Sequence, residues 1–141
     1  MKVLQLANTA EPEIQKKLVE NALEDCVSVF DGFAREHCLP IHKNLSFQNI
    51  AAAKDKLYST HNIDIADGLS ETEWKFVVEQ FQKRHLIAHK MGVIDLEFIK
   101  KTNRHGGDIG KKVAISESDV TDLIGYLGSV AENITKNVLH S

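Results

Sequence analysis

Leu69-Ser70-Glu71-Thr72-Glu73-Trp74-Lys75-Phe76-Val77-Val78-Glu79-Gln80-Phe81-Gln82-Lys83-Arg84-His85-Leu86-Ile87-Ala88-His89-Lys90-Met91-Gly92 is the stretch that decides the fold class. Ser70 followed by Glu73 spells a capping box, in which each residue satisfies a backbone amide that a helix start leaves without a partner. Leu69 and Trp74 flank the box as a hydrophobic staple. Trp74, Val77, Val78, Phe81 and Ala88 then recur at helical spacing, and Gly92 is the natural stop. A helix from Glu71 to the residues before Gly92 is therefore predicted.

The same punctuation recurs on both sides. Downstream, Asp95 is placed to cap a short helix carrying Leu96, Phe98 and Ile99, and Asn103 to Gly110 reads as a Gly-rich basic loop. Val113 and Ile115 alternate briefly before Ser116, which with Asp119 caps a last amphipathic helix through Val120, Leu123, Ile124, Leu127, Val130, Ala131, Ile134 and Val138. Gly125 and Gly128 each cost about 1 kcal/mol in a helix interior, which predicts the close approach of a neighbour there, another chain included. Upstream, a helix over Phe47 to Tyr58 is expected from a Ser46 cap and a Leu45–Ile50 staple. A first segment, Ala10 to Cys38, sets Ile14, Leu18, Ala22, Cys26, Val29, Phe30 and Phe33 on one stripe, with Thr9 as its expected cap, Pro12 in its first turn and Pro40 ending it from outside. No strand pattern rivals these. The expectation is an all-α, antiparallel bundle of four main helices plus one short helix, a single domain over residues 1–141.

Composition narrows the function classes. A chain of 141 residues, 43% apolar and 26% charged, can bury a core without disulfides, and its two cysteines, Cys26 and Cys38, fit a reducing, cytoplasmic setting. Its longest apolar runs, such as Ile50-Ala51-Ala52-Ala53, are far short of the roughly 20 residues of a membrane span, so no membrane partner is expected. The net charge of −3 does not suggest a nucleic-acid partner, but its distribution does. Between Lys83 and Lys112 lie eight bases (Lys83, Arg84, Lys90, Lys100, Lys101, Arg104, Lys111, Lys112) and three acids (Asp95, Glu97, Asp108), a local +5 against −8 elsewhere. Clustered cations are what phosphate binding needs; a merely solvated face is the competing reading.

Two groups of residues could carry chemistry. His37, Cys38 and His42 fall within six residues, but no second Cys or His pair stands at a zinc-type spacing, so Cys38 reads as a small buried residue and no metal site is expected. The other group is Arg84-His85-Leu86-Ile87-Ala88-His89, on the best-defined helix and inside the basic stretch. A guanidinium is a permanent planar fork for phosphate, and an imidazole exchanges a proton near neutral pH. In RNA the 2′-OH is a built-in nucleophile. A base, a cation for the phosphorane and a proton for the leaving oxygen therefore suffice for cleavage without a metal. Arg35 and His42 have a similar spacing but are separated by Pro40 and cannot share a helix.

Arg84-His85-Leu86-Ile87-Ala88-His89 resembles the signature of HEPN domains: Arg, a polar residue, three further residues, His. The resemblance continues through Met91-Gly92-Val93-Ile94-Asp95, a short helix, a Gly and Lys loop, and Val113-Ala114-Ile115-Ser116 leading into a last helix; it covers Leu69 to about Val138. The first half agrees only in being helical and of suitable length. The resemblance implies a small all-α domain that forms a homodimer with the two motif helices facing across a composite cleft. It implies a metal-independent endoribonuclease without cofactor, of the kind found in toxin-antitoxin, abortive-infection, CRISPR-associated and RNA-surveillance systems, with RNA and an antitoxin or larger defence complex as partners. Carried over by residue, Arg84 would stabilise the scissile phosphate, His89 would transfer a proton and His85 would take the supporting polar position. Lys83, Lys90, Lys100, Lys101, Arg104, Lys111 and Lys112 are the expected RNA contacts.

One departure stands out. The family branch that pairs with a nucleotidyltransferase antitoxin has an AMP-accepting Tyr two positions after the motif His, where this chain has Met91.

Helix geometry gives a separate reason to expect a dimer: five positions at about 100° each put Arg84 and His89 roughly 140° apart, too far to focus on one phosphorus. Against the catalytic reading stand three others. Arg84 could pair with Glu79, Glu97 or Asp95; His85 could be a satisfied core histidine; and the domain could be a non-catalytic RNA- or nucleotide-binding module or a plain interaction domain.

Overall fold

The computed structural model describes residues 11–139, and these form five α-helices and one 3-10 turn. They are α1 (Pro12–Cys38), α2 (Ile50–His61), α3 (Glu71–Lys90), α4 (Leu96–Thr102), the turn Gly106–Asp108, and α5 (Glu117–Leu139). Among the described residues there is no strand, only an isolated antiparallel bridge between Val93 and Lys112. No described helix is long and apolar enough to cross a membrane.

The caps of the second half form where the sequence puts them. Ser70 Oγ accepts from the Glu73 amide at 3.1 Å while Glu73 Oε1 accepts from the Ser70 amide at 2.8 Å. Ser116 and Asp119 repeat the reciprocal pair at 3.1 and 3.0 Å, and the Asp95 carboxylate accepts from the Phe98 amide at 2.8 Å. Helix α3 stops at Gly92 with one refinement. Met91 already turns left-handed (φ 56°), and Gly92 (φ 77°) donates its amide to the Leu86 carbonyl at 2.9 Å. Because the box satisfies two orphan amides of an exposed helix start, Ser70→Ala is expected to lower stability by about 1 kcal/mol, read as a shift in the urea midpoint at unchanged slope.

The first half needs correction. The helix expected over Phe47 to Tyr58 with a Ser46 cap instead runs Ile50–His61, with Asn49 as its cap, accepting from the Ala52 amide at 3.2 Å. The reason is tertiary. The Phe47 amide is taken by the buried Asp31 carboxylate at 2.7 Å, and the ring is fully buried edge-on against Phe30 at 5.9 Å, so the chain stays non-helical until Asn49. Ser46 Oγ only closes a turn onto the Gln48 amide. Helix α1 begins at Pro12 with Glu11 in the cap position and no side-chain cap; Thr9 lies outside the described residues.

The stripe expected on α1 is displaced by part of a turn. Val19, Ala22, Leu23, Val27, Phe30, Ala34 and Cys38 fill the core, Leu18 and Cys26 edge it, Phe33 is half-buried, and Ile14 and Val29 are exposed, Val29 by 72%. The apolar arc of this helix is wider than the face its neighbours cover.

Helix α3 packs against both α1 and α5, which also pack directly on each other, and runs opposite to both. Phe81, in its middle, meets Phe30 edge-on at 6.2 Å. Lys83, near its C-terminal end, bonds Ala114 just before α5, whereas Asn133, far along α5, donates to the Ile65 and Asp67 carbonyls just before α3. A second, smaller cluster of Leu86, Ile94, Phe98, Ile99 and Val113 tucks α4 under the end of α3. The loop after α4 is tied down by Ile94 N to Lys111 O and Gly110 N to Ile94 O, both 2.8 Å. At Gly125 and Gly128 nothing among the described residues outside the local helix backbone lies within 4 Å of where a side chain would start, so no described neighbour accounts for them. Gly128 lines an outward apolar groove between α1 and α5.

Candidate functional site

The motif residues occupy the last two turns of α3, and successive side chains there point to different surroundings. Arg84 turns inward to α1. Its Nε and Nη2 donate to the two Glu24 carboxylate oxygens at 3.0 Å each, and Nη1 donates to Gln48 Oε1 at 3.4 Å, leaving the residue 9% exposed. This fork-to-fork geometry is the strongest form of the interaction. The partners expected for Arg84 are otherwise engaged: Glu79 holds Arg104 at 3.0 Å, Glu97 holds Lys101 at 2.7 Å, and Asp95 caps α4. Glu24, sixty residues away in sequence, gave no local signal.

His85 and His89 face outward together, with ring centroids 4.9 Å apart, as neighbours one helical turn apart should be. His85 is not a core histidine. The buried side of α3 is set by Val77, Phe81 and Arg84, and His85 falls beyond its edge. Partial desolvation lowers the pKa of its ring, and the positive charge of His89, Lys101 and Arg84 acts in the same sense while Glu97 opposes it. The ring is thereby kept neutral to a lower pH than a free histidine. Among the described residues no hydrogen bond joins Arg84 to either histidine, in keeping with their angular separation on the helix.

The basic stretch divides. Lys83 leaves the list of RNA contacts: it is 7% exposed, and its ammonium donates to the Ala114 carbonyl at 2.8 Å, fixing the entry to α5. Its sequence neighbours could not reveal this, because the acceptor is supplied by tertiary contact. Lys101, Arg104 and Lys111 are exposed but paired, to Glu97, Glu79 and Asp108, and Arg104 also lies over the Phe98 ring at 5.8 Å. Lys90, Lys100 and Lys112 are exposed and have no ion pair among the described residues. Lys112 shares a hollow of about 360 Å³ with Lys16, Lys17, Glu13, Glu20, Ile87 and Met91. Lys16 and Lys17 were hidden in the sequence by the acids around them on α1.

His37, Cys38 and His42 do not converge. His37 bonds the Phe33 carbonyl and stacks on its ring, His42 meets His61, and Cys38 is buried in the core. Burial pushes the thiols of Cys26 and Cys38 up to about 11, so neither is a ready nucleophile. Among the described residues no three His, Cys, Asp or Glu side chains come together in a metal-ligating cluster. Compared with protein-family models, curated proteins and solved structures, the chain matches none.

Proposed function

We propose that this chain is a HEPN-type, metal-independent endoribonuclease that cleaves RNA as a homodimer, in a toxin or phage-defence setting with an antitoxin or defence complex as partner. The observation that carries the proposal is the outward pair His85 and His89, in contact on the last turns of α3 after the inward-facing Arg84, with Lys90 on the same helix and Lys100 on α4 in no ion pair among the described residues. The 2′-oxygen attacks phosphorus, the bond to the 5′-oxygen breaks, and the products are a 2′,3′-cyclic phosphate and a 5′-OH. His89 moves a proton in this exchange. Arg84 stabilises the phosphorane with the donors that Glu24 leaves, or after exchanging Glu24 for phosphate. A second copy presenting the same helix end would close the cleft.

The Arg84–Glu24 pair also favours a second reading, a non-catalytic RNA-binding module in which the arginine is structural. The two separate on incubation with mixed-sequence single-stranded RNA in EDTA. Cyclic-phosphate ends support the nuclease; salt-dependent binding without cleavage supports the module.

In either case the free lysines set the electrostatics. Lys100→Ala is expected to weaken RNA binding several-fold for all sequences and to reduce the salt slope by about 1, whereas Lys83→Ala should destabilise the fold without changing that slope. Measured slopes that move with Lys83 and not with Lys100 would reverse this assignment.

A further inference from the structure

His85 and His89 stand four residues apart on one exposed helical face, the spacing at which two imidazoles can grip one ion. Their ring centroids are 4.9 Å apart. A metal held at about 2.0–2.1 Å from each nitrogen in tetrahedral geometry needs those nitrogens about 3.3 Å apart, within reach of side-chain rotation from the observed placement. Arg84 is paired with Glu24 and Lys101 with Glu97 at 2.7 Å, while Lys90 and Lys100 are exposed and in no ion pair among the described residues, so an ion here is held by the two rings against basic surroundings and not by electrostatic attraction.

We infer that His85 and His89 form a two-imidazole chelate for a late first-row divalent ion, Zn²⁺ being the probe of choice, with water completing the coordination shell. Imidazole pairs suit Zn²⁺, Cu²⁺ and Ni²⁺, and two protein ligands make an exchangeable site rather than a structural one. The binding itself does not depend on the proposed activity. Its consequence rests on that reading: an ion seated on His89 takes the lone pair a proton would need, so Zn²⁺ is an inhibitor of the site and not its cofactor.

Zn²⁺ titration of the full-length protein, followed by calorimetry, tests this. The wild-type chain is expected to bind Zn²⁺, and His85→Ala and His89→Ala each to weaken binding by about tenfold or more, because either leaves a single ligand without the chelate advantage. His61→Ala, which removes one ring of the other histidine pair, His42 and His61, should leave the affinity unchanged. Undiminished binding by His85→Ala, or loss of binding in His61→Ala, overturns the assignment. The two proposals fail separately. Zn²⁺ binding lost with His85 in a protein that never cleaves RNA removes the nuclease reading and keeps the chelate, whereas cleavage in EDTA by a chain that binds no Zn²⁺ does the reverse.

Discussion

His89→Ala is expected to abolish metal-independent RNA cleavage, a fall of about 10²–10⁴-fold, while the protein melts as the wild type does. The two halves of that expectation have separate grounds. His89 is exposed and its ring meets that of His85 on the same helix face, so truncation opens no cavity and orphans no buried group among the described residues. Its contribution to the fold is limited to that exposed ring contact near the C-terminal end of α3. Its contribution to the reaction, if it moves the proton, is essential. Gel analysis of a fluorescent RNA in EDTA, with mass analysis of the ends, reads the first quantity and thermal unfolding by circular dichroism the second. Unchanged cleavage removes His89 from the mechanism. Loss of the fold would show that this exposed ring supports the structure.

The contrast between His89 and its neighbours shows what the sequence could reveal. Helix starts are local chemistry: Ser70 with Glu73, Ser116 with Asp119 and Asp95 satisfy amides within three residues of themselves, and all three form as read. Ser46 offers the same residue type, yet Asp31 from α1 captures the amide of Phe47 and moves the start of α2 to Ile50. The same limit governs the site. That His85 and His89 share a face follows from helical periodicity alone. That Arg84 is clamped and Lys83 buried follows from Glu24 and the Ala114 carbonyl, brought in by the folding of α1 and α5 around α3. A run of bases therefore overstates the cations available to an anion, and Lys16 and Lys17, beside Lys112 in space but not in sequence, show the opposite error.

Arg84→Ala carries the other large expectation, because it acts on both the fold and the reaction and the two must be told apart. A fully buried ion pair broken on one side costs about 3–5 kcal/mol. Here the Glu24 side chain is 39% exposed and can be rehydrated, so the expected loss of stability is smaller, about 1–2 kcal/mol. If the guanidinium also stabilises the phosphorane, cleavage should fall by a further 10²–10³-fold or so under conditions where the variant is folded. Glu24→Gln separates these effects. It removes the same ion pair and should lower the urea midpoint comparably, but it leaves the fork intact and less restrained, so cleavage should persist or rise. Arg84→Lys keeps the charge and loses the fork, and should recover little of either quantity. Equal losses of cleavage in Arg84→Ala and Glu24→Gln, each matching its loss of folded protein, would make the arginine a brace between α1 and α3. Loss of cleavage confined to the arginine variants would mean that Glu24 restrains the very group the reaction uses, and that RNA must compete with a carboxylate of the protein's own for it.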